Sequence, residues 1–440
     1  MPFKRYLKMR LKYKCSLILL IYLIAVTICF AVMTYRYNYM EFKSVIFLLI
    51  PWVTGAFYVI DFDKTGRLIT QGTVFNAFGL LYTEYYFVNA STNDIQIPND
   101  VYTIEFLAVV AILSFNISYH ITCNRKNVKH LQKNEYDLVR IRKLTALLMI
   151  ISVLAEYWVL CNIGLDTVLN SSRSMVTLLM SDFGVFSFYR HTLPMLSGLY
   201  LLLYFKYKNR CDFLFFCTLF FISAVNAWLY ASRANMLALL LPIIFLLEFY
   251  NKLSKVNIIF IFLAAFMFFG YWKGMISGNG VFQIKSEFAS WIKIGENIID
   301  ENYFWLGSTY LDTIVNLIIP ITHMESVSEW YVRTYEYDAY INGFGRGFSQ
   351  ILEAYINFGF LGIVFIFGVL GCLFKKIRLE SDFSVMVYMI FLSSVYQLFR
   401  ADAFSLWKNM MWFEIYPLAL IFFLCKVRRL KKTITVNYEK

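Results

Sequence analysis

The chain has 440 residues, 59% of them hydrophobic, 19% aromatic and 16% charged, with a formal net charge of +12. So few polar residues cannot cover the surface of a soluble protein of this length, so the composition excludes a soluble globular or disordered chain and leaves a polytopic membrane protein. The basic runs "KRYLKMRLKYK" and "KVRRLKK" are read as topology signals attracted to anionic headgroups, with no nucleic acid as partner.

Twelve apolar segments come close to the 17 to 25 residues that a ~30 Å hydrocarbon core requires. They run Cys15 to Thr34, Ser44 to Ile60, Leu68 to Val88, Thr103 to Thr122, Leu144 to Leu160, Val185 to Phe205, Phe213 to Tyr230, Ala234 to Tyr250, Asn257 to Trp272, Ile351 to Phe374, Phe383 to Phe399 and Met410 to Cys425. The first follows a basic stretch but lacks a small-residue cleavage site, so it is expected to stay as an anchor. The third is polar for a span, with "QGTVFNAFG" and Glu84, yet without it the basic loops fall on the wrong sides. Continuous runs of this length are not barrel strands, so the expected fold is all-α.

Basic loops stay cytoplasmic, and with both termini inside 29 of the 41 Lys and Arg residues lie on that side. This orientation divides the chain into a bundle of nine spans (1–272), a large external loop (273–348), and three further spans with a basic cytoplasmic tail (349–440). Within the loop, "YLDTIVNLIIPIT" places Leu311, Ile314, Val315, Ile318 and Ile319 at helical spacing up to Pro320. Such a helix lies in the membrane interface or packs on the outer ends of the spans, and either way it roofs the bundle.

Chemistry-bearing motifs are sparse. None of the eight cysteines falls in the external loop, so no disulfide framework is implied. His120, His130, His191 and His323 have no paired metal spacing, and no Walker, Rossmann or His-Glu-x-x-His pattern occurs, so neither a metal nor a cofactor is expected. The basic residues differ by side: 19 Lys and 10 Arg inside, against 5 Lys and 7 Arg outside, the latter being Arg36, Arg173, Arg190, Arg233, Arg333, Arg346 and Arg400. Arg carries the planar fork that matches a phosphate, so this bias suggests anion recognition on the external face. In "LYASRANML", Ser232 is a candidate N-cap and Arg233 sits in the first turn, where a helix dipole repels a cation unless an anion binds. Arg346 precedes the tenth span in the same way, with Ser349 as its cap. Snorkelling or pairing with a carboxylate is the alternative for each.

The tenth span is itself unusual. Ser349, Glu353 and Asn357 fall on one stripe that Arg346 extends, while Tyr355, Gly359 and Gly362 lie on the other side. The polar stripe is expected to line an outward cavity, and the glycines to let a neighbouring helix approach. Glu353 in a first turn also complements the helix dipole, a role that needs no chemistry.

The stretch "GFGRGFSQILEAYINFGFLG" resembles the one that follows the large periplasmic loop in Wzy-type O-antigen and capsular repeat-unit polymerases. "ASRAN" and "FRADAF" resemble further patches of that family, and "RSMVTLLMSDFG", from Arg173 to Gly184, fits its Arg, ten residues, Gly pattern. Arg333 departs from the pattern, with nine residues before Gly343 and eleven before Gly345. The resemblance implies a GT-C-like glycosyltransferase in the bacterial inner membrane, acting without nucleotide or metal on undecaprenyl-diphosphate-linked glycans as donor and acceptor, alongside a chain-length regulator. In that setting Glu353 is the candidate base, with Asp402 and Asp182 behind it. Arg173, Arg190, Arg233, Arg346 and Arg400 would bind the leaving diphosphate, Asn357 would bind substrate, and Trp291, Trp305, Trp330 and the tyrosines of "YVRTYEYDAY" would stack on sugars. An O-antigen ligase, with His323 in the external loop, and a polysaccharide flippase or exporter remain as alternatives.

Overall fold

The computed structural model describes residues 21–32, 44–93, 97–122, 136–170, 176, 179, 183, 191–230, 232–261, 263–265, 290–301, 303–319, 325–341 and 347–426. Among the described residues there is no strand. The helices are α1 (Val45–Thr65), α2 (Gln71–Asn93), α3 (Asn99–Ile121), α4 (Leu138–Ile163), α5 (Leu165–Asn170), α6 (Thr192–Tyr207), α7 (Arg210–Leu229) and α8 (Arg233–Phe249). In the segment that the charge pattern reads as external come α9 (Ser290–Glu301), α10 (Ser308–Ile318), α11 (Val327–Tyr335) and α12 (Tyr337–Ile341). The chain then runs through α13 (Gln350–Lys376), α14 (Asp382–Ser394), a 3₁₀ turn (Val395–Phe399), α15 (Ala403–Met410), a π turn (Met411–Ile415) and α16 (Tyr416–Leu424).

Six of these elements are long and apolar enough to cross a membrane: α1, α3, α4, α7, α13 and α14 with its 3₁₀ turn. They correspond to the second, fourth, fifth, seventh, tenth and eleventh segments expected from sequence. Large apolar side chains stand on their outer faces and on α16, with Phe221 68%, Leu361 75% and Phe423 77% exposed. Lipid contact accounts for apolar surface of that kind, whereas water penalises it.

The third segment is helical but is not among the six. Its polar residues are retained because protein, not lipid, surrounds them. Asn76 and Asn116 exchange side-chain amide hydrogen bonds of 2.9 and 2.8 Å between α2 and α3, and Gln71 donates its backbone N–H to the Tyr388 hydroxyl at 3.2 Å. The described part of the sixth segment is the 16 residues of α6, buried along most of its length like a core helix, and residues 185–190 of that segment lie outside the described residues. The twelfth opens on the π turn, which joins α15 to α16 without a break in the right-handed helical backbone, a feature that recurs at functional sites.

Helix contact in the core depends on small residues, though not those expected. A Cβ on Gly371 would lie 2.3 Å from the Phe115 carbonyl oxygen, so Gly371 is what lets α13 lie against α3. Gly362 faces Ala354 and Phe358 of its own helix, and Gly359 meets nothing within 4 Å. Gly359 instead breaks the helix, at φ 62° and ψ −154°, a region that essentially only glycine occupies. Stacked rings of Phe75 and Phe115, 3.8 Å between centroids, fill the space between α2 and α3. At the end read from sequence as cytoplasmic, Arg142 pairs with Asp212 through two bonds of 2.9 and 2.6 Å, and Lys206 with Asp382 at 2.8 Å.

Helices α9, α10 and α11 pack onto the opposite end. Trp291 on α9 is buried and donates its indole N–H to the Tyr82 carbonyl at 3.0 Å, which makes it a packing anchor and not the sugar platform expected. On α10 the polar residues Thr309, Thr313 and Asn316 face the bundle, while Leu311, Ile314 and Ile318 are 62%, 55% and 73% exposed. α10 is thus packed on the ends of the bundle helices by its polar face, one of the two placements left open by sequence, with its apolar stripe exposed. Its last carbonyls are capped from the π turn and α16: Trp412 donates to Asn316 O at 3.0 Å and Tyr416 to Leu317 O at 2.8 Å.

Candidate functional site

The first turns of α13 carry the polar stripe into the protein. Ser349 caps the helix by accepting from Leu352 N at 3.3 Å, as the sequence led us to expect. One turn later Glu353 is fully buried, and Asn357 follows on the same face, also fully buried. The break at Gly359 falls in the turn that would ordinarily use the Ile356 carbonyl, and that carbonyl accepts from Trp305 N at 2.8 Å. Trp305 is thereby fixed at the mouth of the site. The chain then reverses through Leu306 and Gly307, both at positive φ, and a Cβ on Gly307 would come within 2.5 Å of the Phe358 ring. Only glycine fits there, and α10 begins at the next residue.

That turn delivers Thr309 to the polar stripe. Its hydroxyl donates to Glu353 Oε1 at 2.8 Å and accepts from Asn357 Nδ2 at 2.8 Å, while Asn357 Nδ2 also donates to the Glu353 carbonyl at 2.8 Å. Glu353 Oε2 accepts from Ala403 N, the first amide of α15, at 2.6 Å. Asp402, also fully buried, caps the same helix: Oδ1 accepts from Ser405 N at 2.7 Å, and Oδ2 accepts from Ser328 N at 3.2 Å and from the Ser328 hydroxyl. The two carboxylates therefore clasp α10, α11, α13 and α15 together, with each oxygen hydrogen-bonded. Next to them, Asn357 Oδ1 and the Tyr310 hydroxyl are buried without a hydrogen-bond partner. Burial, and then the nearby Glu353, push the Tyr310 hydroxyl well above the usual tyrosine range, so it stays a donor.

Above this clasp a cleft of about 380 Å³ opens between α10 and α11, lined by Trp305, Ser308, Thr309, Asp312, Glu325, Ser326, Val327 and Trp330. Its aromatic wall is rigid. Trp305 and Trp330 meet edge to face at 4.5 Å, and Tyr303 packs on Trp330 at 5.2 Å. Tyr303 and Tyr335 share a hydroxyl hydrogen bond of 2.7 Å. Burial, followed by the bonds to Tyr303 and Glu301, pushes the Tyr335 hydroxyl far above the tyrosine range. Asp312 and Glu325 line the same cleft, the latter paired with Arg333 at 2.7 Å. Rings beside acceptors suit a neutral polyhydroxyl ligand, whose C–H faces lie on indole and whose hydroxyls donate to carboxylate.

The structure thus brings together Glu353, Asn357 and Asp402. Arg400 lies close by, since a Cβ on Gly347 would fall 2.4 Å from the Arg400 carbonyl oxygen. Arg233 is the first residue of α8, with Ser232 capping it by accepting from Asn235 N at 3.3 Å; the Arg233 side chain is outside the described residues. So are Arg173, Arg190, Arg346, Asp182 and His323. Thr309, Ser328, Asp312 and Glu325 escaped the sequence reading. Thr309, Thr313 and Asn316 form a polar stripe opposite the apolar one on α10, and that spacing was the available signal. Among the described residues, no group of three or more His, Cys, Asp or Glu is placed to hold a metal ion.

The fold and site define an all-α chain with helices of membrane-crossing length and an open cleft at one end. No protein-family model, curated protein or solved structure matches the chain.

Proposed function

We propose that the chain is a membrane glycosyltransferase that joins lipid-diphosphate-linked oligosaccharide repeat units into a polymer at the outer face of the bacterial inner membrane. The observation that carries this reading is the cleft of Trp305, Trp330, Asp312 and Glu325 standing over the buried Glu353. In this reading the chain crosses the membrane twelve times in a GT-C-like arrangement with both termini in the cytoplasm, the helices too short or polar for independent spans being enclosed by the others. The cleft holds the saccharide of the incoming unit, and Glu353 takes the proton of its attacking hydroxyl. The anomeric C–O bond of the growing chain breaks, and its lipid diphosphate departs with the electron pair. External arginines, among them Arg233, Arg346 and Arg400, balance that charge. Undecaprenyl diphosphate is the lipid, and a chain-length regulator is the protein partner that the resemblance adds.

Deleting the gene in a strain that makes surface polysaccharide tests the reading. The expected product is a single repeat unit on its carrier. Unattached long polymer would mean a ligase, and repeat units stalled on the cytoplasmic face a flippase; either result overturns the proposal.

A further inference from the structure

Glu353 is fully buried, so a base at this position needs a route to the cleft. Thr309 supplies one, because it lines the cleft and its hydroxyl donates to Glu353 Oε1 at 2.8 Å. A hydroxyl has one donor and two acceptor sites. In Thr309 the donor is spent on Glu353 and one acceptor site on Asn357 Nδ2, at 2.8 Å. One acceptor site remains, and it is the site that an incoming hydroxyl requires. A second observation points the same way. Asn357 Oδ1 and the Tyr310 hydroxyl, an acceptor and a donor, are buried beside this junction without partners. Buried polar atoms in native proteins are nearly always paired, so a polar ligand is the natural complement to both.

We propose that Thr309 is a catalytic residue that relays the acceptor proton, an inference that rests on the glycosyl-transfer reading above. The saccharide hydroxyl donates to Thr309 Oγ1 as Thr309 passes its own proton to Glu353 Oε1. The acceptor O–H bond breaks while its oxygen bonds the anomeric carbon, the bond from that carbon to the lipid diphosphate breaks, and the diphosphate keeps the electron pair. The proton ends on Glu353, and Thr309 regains a hydroxyl. Asn357 orients Thr309 through Nδ2 and offers Oδ1 to a neighbouring sugar hydroxyl.

The test is polymer formation from purified lipid-linked repeat units, normalised to folded protein, for wild type, Thr309→Ser, Thr309→Val, Glu353→Gln and the Thr309→Val/Glu353→Gln double variant. Valine keeps the shape and removes the relay, so the rate should fall on the order of 10²-fold or more, the usual size of a general-base contribution. Serine should restore most of it. The double variant should be no slower than Glu353→Gln, because both changes cut one proton path. Full rate in Thr309→Val, or losses that multiply in the double variant, would overturn the relay while leaving the transferase reading intact. A wild-type protein that binds the saccharide yet makes no polymer would overturn both. Should Thr309→Val fail to fold, the rate of the wild type in mixtures of light and heavy water decides: two protons moving together give a curved dependence, and a straight line means that Thr309 is bypassed.

Discussion

Asp402 and Trp330 illustrate how single side chains divide structural work and the proposed binding. Asp402 caps α15 with one oxygen and holds Ser328, in the first turn of α11, with the other. A cap of this kind is worth about 0.5 to 2 kcal/mol, and here it also fixes the position of the loop helix over the bundle. Trp330 is half-buried and has a ring edge against Trp305, so its removal should leave the fold in place while opening the aromatic wall. An aromatic contact contributes about 0.5 to 1.5 kcal/mol beyond area burial, so Trp330→Ala should weaken binding of a free repeat-unit oligosaccharide by up to roughly tenfold. Isothermal titration calorimetry on detergent-solubilised protein reads this. Unchanged affinity would remove the cleft from the saccharide site. At this scale the sequence singled out Glu353, Asn357 and the tryptophans. It could not separate Trp305 and Trp330 from Trp291, because all three are tryptophans of one loop and their burial depends on partners distant in the chain.

Among the elements, α13 is where local sequence and long-range structure meet. Its N-terminus obeys ordinary capping rules through Ser349, and its apolar remainder spans the bundle. The break at Gly359 couples the two halves to the loop, since it lies beside the Ile356 carbonyl that fixes Trp305. Gly359→Ala forces a choice. Keeping the break costs about 1 to 3 kcal/mol of backbone strain, and straightening the helix competes for the Ile356 carbonyl. We expect a lower midpoint in thermal unfolding together with weakened oligosaccharide binding, read by differential scanning fluorimetry and calorimetry on the same sample. A variant with unchanged melting and binding would show that the break is not what positions Trp305. Sequence reading assigned Gly359 to helix contact, since a Gly in a helix presents the same signal whether it relieves a close approach or permits a left-handed turn.

Over the whole molecule, the orientation of the bundle decides which end would meet the proposed lipid-linked substrate. In the orientation proposed from the charge bias, 29 of the 41 basic side chains lie on the cytoplasmic side and the cleft lies outside. A single cysteine at Asn279 should react with an impermeant thiol reagent added from outside, once any outer membrane is breached, and one at Asn134 should not. Both are to be built in a background where the native cysteines are replaced by Ser or Ala. The opposite labelling pattern would put the cleft in the cytoplasm, away from the proposed reaction.

Composition and run length by themselves determined that this chain is helical and membrane-suited, because helices bury the backbone in lipid at the cost of a visible apolar length. The same local rules located the caps at Ser232 and Ser349 and the helix ending before Pro320. What the tertiary structure alone decided is the enclosure of polar α2 by its neighbours, the close approach at Gly371, and the meeting of Thr309, Ser328, Glu353 and Ala403 from four helices. Those hydrogen bonds join residues 44 to 74 positions apart, and no periodicity in one segment encodes which polar stripe another will find.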